Sequence, residues 1–178
     1  KNNVEASSVP QTTLAHVIVY HSVRPIYEGM PEDVHLFTVS PEVFESQIKY
    51  LKDSGYNVVP LGDLVLASEG KIILPSKPVA ITFDDGWENQ YVYAFPILKK
   101  YNATATFFIF SNAMGHTKWM TWDMVREMQN AGMTIGSHTK THPYLKQITD
   151  KAKLDEEIAG SKKIIEAQIG REVSLFAY

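Results

Sequence analysis

The chain has 178 residues, 44% hydrophobic and 21% charged with net charge −3, the balance of one globular domain that buries roughly two-thirds of its unfolded surface. Seventeen basic residues scattered among twenty acidic ones leave no footprint for nucleic acid, and no apolar run approaches the ~18 residues of a membrane span. The absence of cysteine removes disulfides and thiolate metal ligands.

Residues 1–13 are polar and read as a flexible tail. Residues 14–20, Leu-Ala-His-Val-Ile-Val-Tyr, predict the first strand, which delivers His21 and Ser22 to its C-terminal end. His21 reads equally as a hydrogen-bonded brace or as a substrate contact. Residues 24–39 hold Pro25, Gly29 and Pro31 without a period and predict a loop that helps to wall a groove. Ser40 caps a helix with Pro41 at its first position and Phe44, Ile48 and Leu51 on one face, stopped by Gly55. A short strand over 56–60 and a short helix over 62–68 follow.

Residues 79–83, Val-Ala-Ile-Thr-Phe, lack polar alternation and predict a strand buried on both faces. It runs into Asp84-Asp85-Gly86. Two adjacent carboxylates repel unless a cation or a shared proton relieves them, and the glycine lets a tight turn hold both at the strand's end. A plain Asp-Asp-Gly turn capping the next helix is the alternative. Residues 88–100 predict a helix that Pro96 forces to kink or to start late. A strand over 103–110, a helix Trp122–Asn130 behind a Thr121 cap and a strand over 133–137 come next. That strand ends at His138, with His142 four residues on and Pro143 turning His142 away from helix. Two histidines so spaced share a metal only if the backbone coils, because an extended strand would hold them ~13 Å apart. Beside the acid pair they suggest a two-histidine, one-carboxylate metal site. A helix over 150–169, with Leu154, Ile158, Ile165 and Ile169 on one face, and a sixth strand over 173–178 complete the chain.

Six β-then-α units argue for a parallel sheet with right-handed crossovers. Trp87 and Trp119 stand where they line the rim as an open aromatic surface or pack under it, Trp122 reads as core, and the methionines read as core filling.

The segments Thr82-Phe83-Asp84-Asp85-Gly86 and Ser137-His138-Thr139-Lys140-Thr141-His142, about fifty residues apart, resemble the first two motifs of the polysaccharide deacetylase family (NodB homology domain, carbohydrate esterase family 4). Leu175-Phe176-Ala177-Tyr178 resembles the opening of its third motif. With Val19-Tyr20-His21-Ser22-Val23, it is most similar to the branch acting on poly-β-1,6-N-acetylglucosamine. The resemblance implies an α/β fold, a distorted (β/α)7 barrel truncated after the sixth strand. Residues 14–178 would form the deacetylase domain, with its C-terminal part missing.

It also implies a hydrolase that removes N-acetyl groups with a divalent ion, zinc before cobalt or nickel, held by Asp85, His138 and His142. Asp84 would be the general base and the Tyr178 backbone N–H an oxyanion donor, with His21, Trp87 and Trp119 contacting the polysaccharide substrate. The general acid would come from later motifs that this chain does not contain. The expected setting is extracytoplasmic, secreted or at a bacterial surface, with peripheral membrane or cell-wall association and an undefined oligomeric state. Peptidoglycan, chitin oligomers and acetylated xylan are alternative substrates. A non-catalytic carbohydrate-binding module of the same fold is the alternative class. A phosphoesterase is disfavoured because no basic cluster or glycine-rich phosphate loop accompanies the site.

Overall fold

A computed structural model describes residues 14–178; the tail expected over 1–13 lies outside the described residues. Five strands form one parallel sheet: β1 (His16–Tyr20), β4 (Asn57–Val58), β5 (Pro78–Phe83), β6 (Thr106–Ile109) and β7 (Thr134–Ser137). The order is β1-β5-β6-β7, with β4 pairing the first residues of β5. All six residues of β5 are buried, as its continuous apolar run requires. Its Phe83 is the centre of an aromatic ladder. Phe107 of β6 stacks on it at 4.6 Å, Tyr20 of β1 at 5.4 Å, and Phe44 of helix α2 (Pro41–Asp53) closes onto Tyr20 and Phe83.

Between β1 and α2 the sequence predicted only loop. The structure instead holds a side sheet, β2 (Ser22–Val23) pairing β3 (Thr38–Val39) in parallel, with a five-residue helix α1 (Glu32–Leu36) between them. Five residues with none buried carry no periodic signal, so α1 was not legible. Helix α3 (Leu61–Ser68) agrees with the sequence reading. The predicted 88–100 helix has its regular α-helical part at Phe95–Lys100, with Pro96 in the first turn, in keeping with the late start expected of it. A π-helical turn, Gln90–Ala94, runs straight into α4 (Phe95–Lys100), with the Phe95 N–H bonded to the Gln90 carbonyl. The wider turn sits immediately before Pro96, which has no N–H and whose ring would crowd an ordinary α-turn.

Helix α5 (Trp122–Asn130) starts at its Thr121 cap as predicted. The long 150–169 helix is instead α6 (Lys151–Asp155), a π-turn Glu156–Gly160 and α7 (Ser161–Ile169), ended by Gly170 in the left-handed region. The π-turn shifts the phase of the apolar stripe: Ser161, Ile165 and Ile169 are buried, while Ile158 is exposed. The sixth strand expected over 173–178 is reduced to one parallel bridge. Ser137 donates its N–H to Leu175 and accepts from the Ala177 N–H, around the Ser137–Phe176 pair. The segment reaches β7 so closely because position 136 is glycine. A Cβ there would lie 2.5 Å from the Phe108 ring and 3.2 Å from the Leu175 carbonyl oxygen.

Gly136→Ala is therefore expected to lower stability by about 1–3 kcal/mol through overpacking. Urea denaturation checks this, and pairing it with Phe108→Leu should recover part of the loss; two additive losses would show that the ring is not what the methyl group meets.

Candidate metal centre and its cleft

Parallel pairing sends β1, β5 and β7 to the same rim. The Asp84 N–H extends the ladder by bonding the Tyr20 carbonyl at 2.9 Å. The chain then turns through Asp85 (φ 77°) and Gly86 (φ 78°), both left-handed. Glycine is required at the second, where a Cβ would meet Met114 at 2.8 Å and Ile109 at 2.9 Å. Asp85 accepts the left-handed strain at a non-glycine position, a cost that clusters at functional sites. Its carboxylate is held at both ends. Oδ2 accepts the Trp87 indole N–H at 2.9 Å, and Oδ1 faces His142 Nε2 at 3.4 Å and His138 Nε2 at 3.6 Å.

On β7's side, the His138 N–H continues the ladder to Ile109, and its ring is almost fully buried. His138 Nδ1 lies 3.0 Å from the Ala177 carbonyl. A carbonyl only accepts, so Nδ1 carries the proton and Nε2 presents its lone pair to the cluster. The chain coils between the two histidines, with Thr139 (φ 69°) and His142 (φ 60°) left-handed and the His142 N–H bonded to Thr139 Oγ1. The two Nε2 atoms end 3.2 Å apart. One donor atom from each of Asp85, His138 and His142 lies within 4.8 Å of the others. A carboxylate and two imidazoles suit zinc or a similar divalent ion, and the partners on His138 Nδ1 and Asp85 Oδ2 are those that orient metal ligands.

Asp84 stays outside this cluster. Its Oδ2 is 3.9 Å from His21 Nε2, and burial pushes its carboxyl above the usual carboxylate range despite the pull of His138 and His21. The His21 ring leans on Phe37 at 5.1 Å. Trp87 and Trp119 stack at 4.7 Å, joined by a backbone bridge, and Phe110 meets Trp119 edge-on. A cavity of about 680 Å³ opens beside the cluster, lined among others by His21, Phe37, Asp85, Trp87, Trp119 and His142. The structure thus brings His21, Trp87, Trp119 and two of the candidate ligands, Asp85 and His142, to one cleft, with His138 lining the hollow on the other side of the histidine turn, whereas Trp122 packs against the core. Tyr178 lies across the histidine turn in a smaller hollow of about 340 Å³, exposed and stacked on Phe176.

Sequence reading missed the residues that hold this rim. Gln90, fully buried in the first π-turn, donates its amide to the carbonyls of His21 (2.7 Å) and Asp84 (2.6 Å). Asn89 accepts the Val23 N–H and donates to Ser22 Oγ. A signal was there. Gln90 lies one turn before the apolar Ala94 and Leu98, a polar residue on a buried stripe.

A profile of the family described as polysaccharide deacetylase matches residues 71–178. The chain is 32% identical over 165 residues to YxkH of Bacillus subtilis (strain 168), which carries the name of a polysaccharide deacetylase; this covers 91% of the chain and 55% of YxkH. It is 36% identical over 128 residues to the poly-β-1,6-N-acetyl-D-glucosamine N-deacetylase of Staphylococcus aureus (strain MSSA476), covering 64% of the chain and 43% of that protein. The Streptococcus pyogenes deacetylase PplD, solved in complex with acetate, superposes with a TM-score of 0.83 at 28% identity, over 92% of this chain and 73% of that one. The α/β fold with its parallel sheet is that of the deacetylase barrels, and the chain spans about half the length of the curated relatives it matches.

Gln90→Leu should leave two buried carbonyls without a donor and destabilise the protein by about 2–4 kcal/mol. The denaturant midpoint reads the effect, and a loss below about 0.5 kcal/mol would mean that water replaces the amide.

Proposed function

The chain belongs to the polysaccharide deacetylase family, and from that premise we propose a metal-dependent N-deacetylase of an N-acetylglucosamine-containing polysaccharide. The observation that carries this is the convergence of Asp85, His138 and His142 on one point, with Asp85 and His142 lining the large cleft and Asp84 next in sequence to Asp85. Residues 14–178 make up the deacetylase domain in this reading. The substrate favoured is poly-β-1,6-N-acetylglucosamine, supported by the named activity of the Staphylococcus aureus relative. That substrate places the protein outside the cytoplasm, secreted or at the cell surface. Among the described residues no helix is long and apolar enough to cross a membrane.

Amide hydrolysis needs an activated water, a polarised carbonyl and a proton for the leaving amine. Asp85, His138 and His142 would hold a divalent ion, zinc by this donor set, which would supply Lewis acidity and lower the pKa of a water. The remaining work falls to the chain. Asp84 takes the proton of the attacking water, and its burial favours the protonated form that results. His21 stands beside Asp84, where it supports that carboxyl and meets the sugar. The stacked Trp87 and Trp119 offer an aromatic wall for the glycan, and the Tyr178 backbone N–H serves the oxyanion. Attack on the carbonyl carbon gives a tetrahedral adduct, and its collapse breaks the C–N bond as the proton taken from the water passes to the amine nitrogen, leaving acetate and a free amine, in keeping with the acetate bound to PplD.

The adjacent carboxylates are separable by mutation. Asp84→Asn is expected to keep the metal and lose roughly 10²–10⁴ in rate. Asp85→Asn is expected to lose metal affinity first, with part of the rate restored by added metal. In the full-length enzyme, acetate release from a short β-1,6-linked N-acetylglucosamine oligomer, followed against zinc concentration, tells them apart. Rescue of Asp84→Asn by metal would reverse the roles, and a full-length wild-type protein that binds the oligomer without releasing acetate would favour the binding-module reading.

A further inference from the structure

The turn that carries His142 is gripped from outside by the helix that follows it. The Lys140 and Thr141 N–H groups both donate to Glu157 Oε2, at 2.9 and 2.8 Å, and the Thr141 hydroxyl donates to Oε1 at 2.6 Å. Four residues on, Ser161 donates its hydroxyl to the Thr139 carbonyl at 2.7 Å and receives one from Ser137 at 2.9 Å. Lys140 pairs through its side chain with Glu156, which leaves the Glu157 carboxylate to the two N–H groups and the Thr141 hydroxyl. These contacts span the stretch between the two left-handed residues Thr139 and His142.

Successive N–H groups pointing at one oxygen form a concave nest that an anion fills, and here the anion is the protein's own. Without it the Lys140 and Thr141 N–H groups would turn to water, and the coil that brings His142 Nε2 to within 3.2 Å of His138 Nε2 would rest on the bonds that the Thr139 and Lys140 carbonyls receive from Ser161, Ser111 and Asn112. Glu157 belongs to the π-turn Glu156–Gly160, and single π-turns inside helices occur frequently at functional sites.

We propose that Glu157 is a positioning residue of the metal centre: its carboxylate holds the histidine turn in the one shape that lets His138 and His142 share an ion with Asp85. This rests on the metal-site reading above. Glu157 does not face the cleft and touches no proposed ligand side chain, so its effect is carried through the backbone of residues 139–142.

Cobalt binding tests it, read from visible absorption and from competition with a chelator on the whole chain, with the thermal midpoint of the metal-free protein measured alongside. Glu157→Ala should weaken cobalt about 10–100-fold. Glu157→Gln, whose carbonyl can still accept both N–H groups, should lie between Ala and wild type. Glu157→Asp keeps the charge and shortens the reach, so it should also bind more weakly, and it serves if the alanine variant does not fold. Cobalt affinity equal to wild type in the variants, even with a lowered metal-free midpoint, would overturn the proposal and leave Glu157 a structural cap. A wild-type chain that takes up no cobalt would overturn the metal-site reading itself, and this proposal with it.

Discussion

Parallel register is the constraint from which the site follows. Phe83 of β5 pairs with Phe107 of β6, and Phe107 pairs with Ile135 of β7, so three strands advance together, and β6 and β7 run on by two residues to the pair Ile109 and Ser137. The residues just beyond them, Asp84 and Asp85 on one side and His138 on the other, have nowhere to go but the same rim. β6 contributes no ligand; it spaces the other two. Its Ile109 carbonyl receives the His138 N–H, and its Ile109 side chain presses against Gly86. One strand therefore sets the position of both halves of the candidate centre.

Register brings the backbones together, and hydrogen bonds then aim the side chains. An imidazole in open solvent can present either nitrogen, and a carboxylate either oxygen. The Ala177 carbonyl removes that freedom from His138, and the Trp87 indole removes it from Asp85. The short bridge between β7 and residues 175–177 thus matters more than its length suggests. A full strand there would add ladder bonds, but one pair of bonds around Ser137 already places the carbonyl that fixes the histidine. Gly136 permits that approach, so the absence of a Cβ two residues before His138 bears on which nitrogen of His138 faces the cluster.

What was legible in the sequence was local. The unbroken apolar run of β5, the Thr121 cap of α5 and the Asp-Asp-Gly and His-x-x-x-His patterns each state their meaning within a few residues. Cooperation between distant segments was not legible. Helix α1 and its side sheet exist because Ser22 and Arg24 donate to Phe37 and Val39 across an excursion with no period of its own. Both π-turns were invisible because a helical pattern with one extra residue reads as the same helix. Yet Gln90 and Ser161 could have been noticed. Each is a polar residue on the buried stripe of its helix, and burying such a group is costly unless it has a partner. Each has found its partners in the peptide groups of a site loop, Gln90 in His21 and Asp84, Ser161 in Thr139.

The Trp87 ring stands in the cleft and in a packed aromatic stack at once, so its two sequence readings, a wall for a sugar and a packed aromatic under the rim, do not exclude each other. Its ring lines the cleft and stacks on Trp119, while its N–H spends its single donor on Asp85 Oδ2. Indole has one polar atom, so the rest of the ring is free to meet apolar faces without leaving a group unsatisfied. The ring's orientation is fixed twice, by the stack and by the hydrogen bond, and Phe110 fixes Trp119 in turn while also leaning on His142 at 5.4 Å. Asp85 and His142 are thus connected through three aromatic rings as well as directly. A change in any of those rings bears on two of the candidate ligands at once, which binds the wall of the cleft and the geometry of the centre into one packed unit.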